Sequence, residues 1–165
     1  MKIGLLIVDM QNQFVYDGQI PFSAVTRASE YINLIADSLR ASNHVVVHIR
    51  DVEEWTEETS DKFDVIPEIK VEETDLHVTK MYSNAFWYTD LEEQLKNHGV
   101  GFVIVAGFAA EYCVLFTYNG ARERGFRAVI LQDGILSTKS DVIPATYRDR
   151  QMISYSAVEY MAADR

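Results

Sequence analysis

Four runs of consecutive apolar residues divide the chain, and each has the length of a β-strand. They are Lys2–Val8 (KIGLLIV), residues 43–49 (NHVVVHI), residues 101–106 (GFVIVA) and residues 126–131 (FRAVIL). Residues 76–79 (LHVT) form a shorter and weaker candidate. Strands that are apolar on both faces are typical of a parallel sheet covered by helices. The pattern therefore predicts a buried, mostly parallel central sheet.

Apolar positions recur at helical spacing between these runs. Residues 23–42 show this spacing and predict an amphipathic helix. Residues 89–92 (TDLE) have the form of a capping box, which predicts a second helix that stops at Gly99. A third helix is predicted after Gly107 and as far as Arg124. Alternating strands and helices predict an α/β fold, a three-layer α/β/α sandwich with a Rossmann-like, mostly parallel central sheet.

Two stretches have no clear pattern. Residues 141–165 are mixed: Pro144 suits a helix start, and residues 152–158 (MISYSAV) are compatible with a strand or a helix. Residues 50–74 are polar and acidic, and we interpret them as a long excursion that belongs to a site or is a solvated surface loop. No repeat or low-complexity tract is evident, so a single domain is expected over residues 1–165.

Composition narrows the possible partners. The 165 residues are 48% hydrophobic, and 15 basic against 25 acidic residues give a net charge of −10. This balance argues against nucleic acid and anionic membranes as partners. We find no signal-peptide pattern and no apolar run of membrane-spanning length. The single cysteine has no internal disulfide partner, so a reducing, cytoplasmic compartment is expected.

An acid, a base and a thiol follow three of the predicted strands. Asp9 directly follows the first run, Lys80 directly follows LHVT, and Cys113 lies in the first turn of the helix after GFVIVA. Since the carboxyl ends of parallel strands share one edge of the sheet, all three are expected to face one crevice. Each also has a plain structural interpretation: a turn residue, a surface lysine and a small buried side chain. A helix N-terminus and a nearby ammonium predict a lowered pKa for the thiol.

The residues around these three positions resemble a known family. The blocks LLIVDMQNQF (5–14), KMYSNAF with TDLEEQLKNHGV (80–100) and VAGFAAEYCVLFT (105–117) are similar to those of the isochorismatase-like cysteine hydrolases. That superfamily includes nicotinamidases and N-carbamoyl amide hydrolases. The resemblance runs through nearly the whole chain and implies homodimers or larger homo-oligomers.

The resemblance implies a role for each residue of the motif. Asp9, Lys80 and Cys113 match the catalytic triad, and Phe108 and Ala109 match residues joined by a cis peptide bond. The backbone amides of Ala109 and Cys113 are then expected to form an oxyanion hole.

The family's substrate pocket and its variable positions can be matched in the same way. Phe14, Tyr82 and Phe108 match positions that line the pocket and bind substrate. Two residues depart from the usual pattern: Ala110 replaces a threonine, and Gly120 replaces an aspartate within a helix. Because glycine costs a helix about 1 kcal/mol relative to alanine, close packing is expected at that glycine.

No cofactor or metal is expected. Nicotinamidases hold a metal with an aspartate and two histidines; here Asp51 is present, but the next histidine is His77. The carboxylates of Asp51, Glu53 and Glu54 are more typical of a solvated acidic loop than of a metal site. Nicotinamide itself is therefore a weaker candidate substrate.

The resemblance and the lone thiol together predict a cysteine hydrolase. It would cleave an amide or carbamoyl C–N bond of a small molecule through a thioester. Three alternatives stay open: an isochorismatase-type ether hydrolase, a branch that lacks the cysteine; a non-catalytic small-molecule binder or assembly subunit; and a thiol peroxidase or redox sensor. The four histidines show no spacing that pairs one of them with Cys113.

Overall fold

Six parallel strands form one sheet at the centre of the computed structural model, which describes residues 1–163. The strands are β1 (Lys2–Val8), β2 (Val45–Asp51), β3 (Leu76–Lys80), β4 (Val100–Phe108), β5 (Arg127–Leu136) and β6 (Met152–Ile153). Their order across the sheet is β3-β2-β1-β4-β5-β6, and every neighbouring pair is parallel. The predicted α/β fold with a Rossmann-like sheet is confirmed, including the weak strand at LHVT.

Helices cover both faces of this sheet. They are α1 (Asn12–Val15), α2 (Phe22–Ala41), α3 (Leu91–Asn97), α4 (Cys113–Glu123), α5 (Val142–Asp149) and α6 (Tyr155–Ala162), with a 3-10 helix at Glu57–Phe63. Alternation along β1 separates two cores: Leu5 and Ile7 pack with α2 and α6, whereas Leu6 and Val8 pack with α3 and α4. The result is a three-layer sandwich with one apolar core on each side of the sheet.

Two details differ from the sequence expectations. The ambiguous residues 152–158 form both elements, because β6 ends at Ile153 and α6 begins at Tyr155 with the Ser154 side chain as its cap. The predicted capping box at 89–92 is only half formed: the Thr89 hydroxyl accepts from the Leu91 amide at 3.3 Å, but the Glu92 carboxylate pairs with Lys96 and Arg124 and not with a backbone amide. Residues 164–165 of the mixed C-terminal stretch lie outside the described residues.

Close contact between β1 and β4 depends on a glycine. Gly107 has a φ of +111°, and a Cβ at this position would overlap the carbonyl oxygen of Val8. A residue without a Cβ is therefore required where β4 leaves the sheet beside β1. This contact brings the segment that follows β4 next to the segment that follows β1.

The acidic excursion between β2 and β3 is tied to the sheet by Gln11. This buried side chain donates to the carbonyl oxygens of Asp51 (3.0 Å) and Phe63 (2.9 Å), and it accepts from the Asp51 amide (2.8 Å). A single antiparallel bridge pairs Gln11 with Val65. The excursion is thus held against the edge of the sheet where β1, β2 and β3 end. Among residues 1–163, no helix combines the length and apolarity that crossing a membrane requires.

Candidate active site

A buried lysine lies at the centre of the site. The Nζ atom of Lys80 is 2.9 Å from Oδ2 of Asp9, 2.8 Å from Oδ2 of Asp51 and 3.5 Å from Sγ of Cys113. Its side chain has no exposed surface. A lysine ammonium carries three N–H donors, so these three partners account for all of them. The structure therefore brings together the three residues that strand connectivity predicted to face one crevice, and adds Asp51.

Strand order explains why Asp51 belongs to this group. Strand β2 lies between β1 and β3, and its last residue, Asp51, is directly paired with Lys80 in the register. The lysine must therefore extend over the end of β2 to reach Asp9. Sequence spacing relates Asp51 to the metal motif of nicotinamidases or to an acidic loop and predicts no contact with Lys80, because it does not contain the strand order. Its position two residues after the apolar run 43–49, comparable to that of Asp9 after the first run, was the available signal.

Asp9 is almost completely buried and has an unusual backbone. Its φ is +50°, in the left-handed region, and its amide donates to the carbonyl oxygen of Ile49 at 2.9 Å. Only one of its carboxylate oxygens contacts Lys80, and among the described residues the other, Oδ1, has no hydrogen-bond partner. Burial raises the pKa of Asp9 to about 6, against the opposing attraction of the Lys80 charge. Such a carboxyl group can exchange a proton near neutral pH.

Cys113 is the first residue of α4 and lies beside Asp9 and Lys80. Burial, and then the neighbouring Asp9 charge, raise the pKa of the thiol to about 12, although Lys80 opposes this. The lowered pKa expected from the sequence is therefore wrong. Removing water from the sulfur and placing a carboxylate next to it outweigh the ammonium and the helix N-terminus. Meanwhile the pKa of Lys80 lies above its usual value, because its anionic partners outweigh its burial, so the lysine stays charged.

Two backbone amides beside the sulfur have no acceptor. The peptide bond between Phe108 and Ala109 is cis. The next amide, that of Ala110, donates to the carbonyl oxygen of Leu136 at 2.8 Å. Within residues 1–163, however, neither the Ala109 amide nor the Cys113 amide donates a hydrogen bond. These are the two donors that the family resemblance implies for an oxyanion hole, and neither is engaged by another described residue.

The thiol opens onto a cavity of about 320 Å³. Two of the predicted substrate-binding residues, Phe14 and Phe108, line this cavity. Their rings stack with centroids 5.9 Å apart. Tyr82 is not among the lining residues. It is half exposed and contacts Trp87 and Tyr88 on the surface, with ring centroids 6.2 and 5.9 Å away. Its predicted place in the pocket is thus not found in this chain.

Both departures from the family pattern lie on or next to α4. Ala110 is buried in the core on the α4 side of the sheet. A Cβ on Gly120 would overlap the side chain of Asn84, so the close packing expected at this glycine is present. The amide of Ala85 also donates to the Thr117 hydroxyl at 3.1 Å. These contacts hold the segment after β3 against α4.

The three residues that could together hold a metal ion already surround the ammonium of Lys80. One ligand atom from each of Asp9, Asp51 and Cys113 lies within 4.8 Å of the others. The Lys80 ammonium bonds to all three, so a metal ion here would compete with a buried positive charge. This arrangement does not fit a metal centre, and the absence of a catalytic metal stays a prediction.

The histidines contact other residues. His48 bonds to Asp75 at 2.9 Å and stacks on His77, while Nδ1 of His44 accepts from the Ile3 amide at 3.3 Å. The fourth, His98, pairs through Nδ1 with the carbonyl oxygen of Gln94 at 2.8 Å. The cavity lining contains no histidine from residues 1–163. A cysteine–histidine pair is therefore not supported.

Comparison with known proteins identifies the family. The profile of the isochorismatase domain matches residues 4–156. The chain belongs to the isochorismatase family, whose members are hydrolases. Recognition of this family from the sequence motifs is thereby confirmed.

Individual relatives are distant. The isochorismatase family protein YddQ of Bacillus subtilis (strain 168) is 21% identical over 156 residues, which cover 89% of this chain and 87% of the relative. Nicotinamidase of Escherichia coli (strain K12) is 29% identical over 76 residues, covering 46% and 36%. Among solved structures, an isochorismatase-like hydrolase from Alkaliphilus metalliredigens superposes with a TM-score of 0.85 at 22% identity, covering 98% of this chain and 99% of the other.

Proposed function

We propose that this chain is a cysteine hydrolase that cleaves an amide or carbamoyl C–N bond of a small molecule. One observation supports it above the others: the lone thiol at the cavity contacts Lys80, which in turn bonds to Asp9. A nucleophile, a proton carrier and a fixed cation are thus in direct contact at the base of a cavity. The partial similarity to a nicotinamidase supports the choice of a C–N bond.

The first half of the reaction forms a thioester. Asp9 accepts the proton of Cys113 as the sulfur attacks the substrate carbonyl carbon. The substrate carbonyl oxygen becomes negative and accepts hydrogen bonds from the N–H groups of Ala109 and Cys113. Loss of one such donor typically lowers the rate by about 10²–10³. Asp9 then gives its proton to the substrate nitrogen, the C–N bond breaks, and ammonia or an amine leaves. Because Lys80 stays charged, it stabilises the carboxylate and the developing thiolate.

The second half of the reaction reverses the roles. Asp9 takes a proton from water, and the resulting hydroxide attacks the thioester carbonyl, again facing the two backbone amides. The C–S bond breaks, the carboxylic acid is released and Asp9 returns the proton to Cys113. The pKa of about 6 suits Asp9 to both directions, because near neutral pH the carboxylate is ionised and can accept a proton, and once protonated it is acidic enough to give that proton to the leaving nitrogen.

Two alternatives fit the site less well. A thiol peroxidase or redox sensor needs a thiol of lowered pKa, whereas the pKa of Cys113 is raised. An ether hydrolase of the isochorismatase branch would leave the cysteine without a role. A non-catalytic binder would use the same cavity, and only a turnover measurement separates it from the hydrolase.

The test is ammonia release from a panel of small amides, ureas and carbamoyl compounds. The wild-type chain is expected to hydrolyse at least one, and Cys113→Ser is expected to lose activity at least 10³-fold while unfolding at the same urea concentration. Brief acid quenching followed by intact-mass measurement should show the acyl adduct on the wild type alone. Saturable binding of an amide without ammonia release would instead identify a binder, and full activity of the serine variant would exclude Cys113 as the nucleophile.

We further propose that the chain forms a homodimer or larger homo-oligomer in the cytoplasm. Its single thiol requires no oxidising compartment. The exposed aromatic residues Tyr82, Trp87 and Tyr88 contact one another on the surface and offer an apolar patch for a second copy. Light scattering on a size-exclusion column should give a mass at least twice that of the chain, and Trp87→Glu should lower it. A monomeric wild type would exclude the assembly.

A further inference from the structure

The cavity beside Cys113 is lined by carboxylates and contains no basic side chain among residues 1–163. Asp9 and Asp51 lie at its base, and Glu53 and Glu54 lie on its wall. The ammonium of Lys80 is not part of the lining and is already paired with both Asp9 and Asp51. A ligand in the cavity therefore meets more negative than positive charge.

The two glutamates are free to bind a ligand. Within the described part of the chain, neither the Glu53 nor the Glu54 carboxylate makes a hydrogen bond or ion pair; only the Glu53 backbone is held, through Asp51 Oδ1 at 3.0 Å. Deeper in the same cavity, Oδ1 of Asp9 is buried and also has no partner among residues 1–163. Carboxylate oxygen atoms without a hydrogen-bond partner thus occur both at the wall and at the base, although Asp9 as a whole is paired with Lys80 through Oδ2.

Four aromatic rings line the same cavity, together with Gln13 and Ala109. Phe14, Phe63, Phe108 and Tyr112 line the cavity together with the acidic residues. Aromatic faces attract cations through their quadrupole and also accept flat, neutral groups. Rings and carboxylates in one wall are a combination that recognises ammonium and related cations.

Apart from Lys80, the basic residues near the cavity include Lys139, Lys62 and Arg50, which shares a neighbouring depression with Glu53. Lys139 lies over the ring of Tyr112, 5.6 Å from its centroid, and is 3.9 Å from the Glu111 carboxylate. Lys62 lines an adjoining outer depression together with Asp17, Glu54 and Asp61. Acidic neighbours accompany both lysines, so neither reverses the charge of the cavity.

From this distribution of charge we infer that the site selects amides carrying a cationic group, accepts neutral ones and rejects anionic ones. Glu53 and Glu54 are the specificity-determining residues, and the aromatic wall holds the body of the ligand. Amides bearing an ammonium or guanidinium group are the preferred class, and carboxylated amides, such as N-carbamoyl amino acids, are excluded. The inference rests on the proposed function for the bond that reacts, but charge selection is measurable without turnover.

Charge-matched thiol reagents provide the first test, because Cys113 is the only cysteine in the sequence. Trimethylammonioethyl, methyl and sulfonatoethyl methanethiosulfonates each form a mixed disulfide with Cys113 and release methanesulfinate. The rate ratio of the cationic to the anionic reagent is compared with the same ratio for a small free thiol. We expect a higher ratio for the protein, and a decrease of about fivefold in Glu53→Gln/Glu54→Gln, the size expected for two partly exposed charges.

A matched control removes the same charge nearby. Glu57→Gln/Glu58→Gln changes two exposed glutamates of the 3-10 helix that do not line the cavity. This variant should keep the wild-type ratio. An equal ratio in the protein and the free thiol, or an equal decrease in both double variants, would overturn the inference.

Hydrolysis supplies the second test and separates this inference from the proposed function. The substrates are benzamides with a para-aminomethyl, para-methyl or para-carboxylate group, and ammonia is measured. The cationic amide is expected to show the highest kcat/KM and the anionic amide the lowest. Faster hydrolysis of the carboxylate compound would overturn the charge selection and retain the hydrolase. Cation-selective labelling with no ammonia release from any amide would support the charge selection and overturn the hydrolase.

Discussion

Replacing Lys80 by methionine should destabilise the fold in a strongly pH-dependent way. Methionine fills most of the lysine volume but leaves the Asp9 and Asp51 carboxylates facing each other without a cation. Their oxygens are within 4.8 Å, and the Asp9 and Asp51 side chains are only 2% and 13% exposed. Two like charges at this distance repel by about 3 kcal/mol at an effective dielectric constant of about 20.

The expected loss follows from that repulsion and from the lost ion pairs. Removing one partner of a buried pair usually costs about 3–5 kcal/mol, in agreement with the Coulomb value. For a chain of this size, each kcal/mol corresponds to about 2–4 °C, so the melting temperature should fall by about 6–20 °C at pH 8. Urea denaturation followed by circular dichroism would measure the free energy of unfolding directly.

Acidification should restore part of the stability lost in Lys80→Met. The folded-state pKa of Asp9, about 6, already lies above its ordinary value of 3.8, so this group favours folding at low pH and the contribution is lost as pH rises through 6. Without Lys80 the pKa of Asp9 rises further, and the sensitive range extends above pH 6. The deficit relative to wild type should therefore be smaller at pH 5 than at pH 8.

A surface lysine provides the control for this substitution. Lys70 is 57% exposed and pairs with Asp37 at 2.7 Å, so Lys70→Met should cost less than about 1 kcal/mol. If Lys80→Met lost no more stability than Lys70→Met, or if its deficit were equal at pH 5 and pH 8, the central ion cluster would not have the role assigned to it.

Two further predictions concern catalysis and packing. Asp9 must be ionised to accept the thiol proton, so kcat/KM should rise with pH through about 6 and then stay level to pH 9. A second ionisation between pH 8 and 9 in the pH–rate profile would show instead that the free thiolate is the attacking species. Gly120→Ala should lower the free energy of unfolding, measured by urea denaturation, by about 1–2 kcal/mol, because the new methyl group displaces Asn84. This loss is expected despite the better helix propensity of alanine. An unchanged or higher urea midpoint would contradict this packing.

The sheet and the placement of Asp9, Lys80 and Cys113 could be predicted because they depend on short-range patterns. Apolar runs define buried strands, and the residue after each run must lie at the same edge of a parallel sheet. Strand order is a different matter, since it depends on which strands pair across long connections. Asp51 was therefore missed as a partner of Lys80, although it ends β2 between β1 and β3.

The direction of a side chain in a loop is also beyond what sequence spacing predicts. Tyr82 follows Lys80 by two residues, yet it points to the surface and not into the cavity. Tertiary contacts decide this, because Asn84 packs against Gly120 and the Ala85 amide bonds to Thr117. Neither contact is visible in the segment's own sequence.

The thiol pKa shows why sequence spacing predicts the location of a candidate nucleophile better than its protonation state. A helix N-terminus and a lysine both favour the thiolate of Cys113, but the cluster also contains two carboxylates around a single ammonium. With Asp9 ionised, a thiolate would add another negative charge to a buried group that has only one cation. In the proposed mechanism the proton therefore stays on sulfur until Asp9 accepts it, and the thiolate would form only as its charge passes to the substrate carbonyl, where the Ala109 and Cys113 amides would stabilise it. The lysine would stabilise whichever of the two acids is ionised, and the proposed reaction would proceed by moving one proton between them.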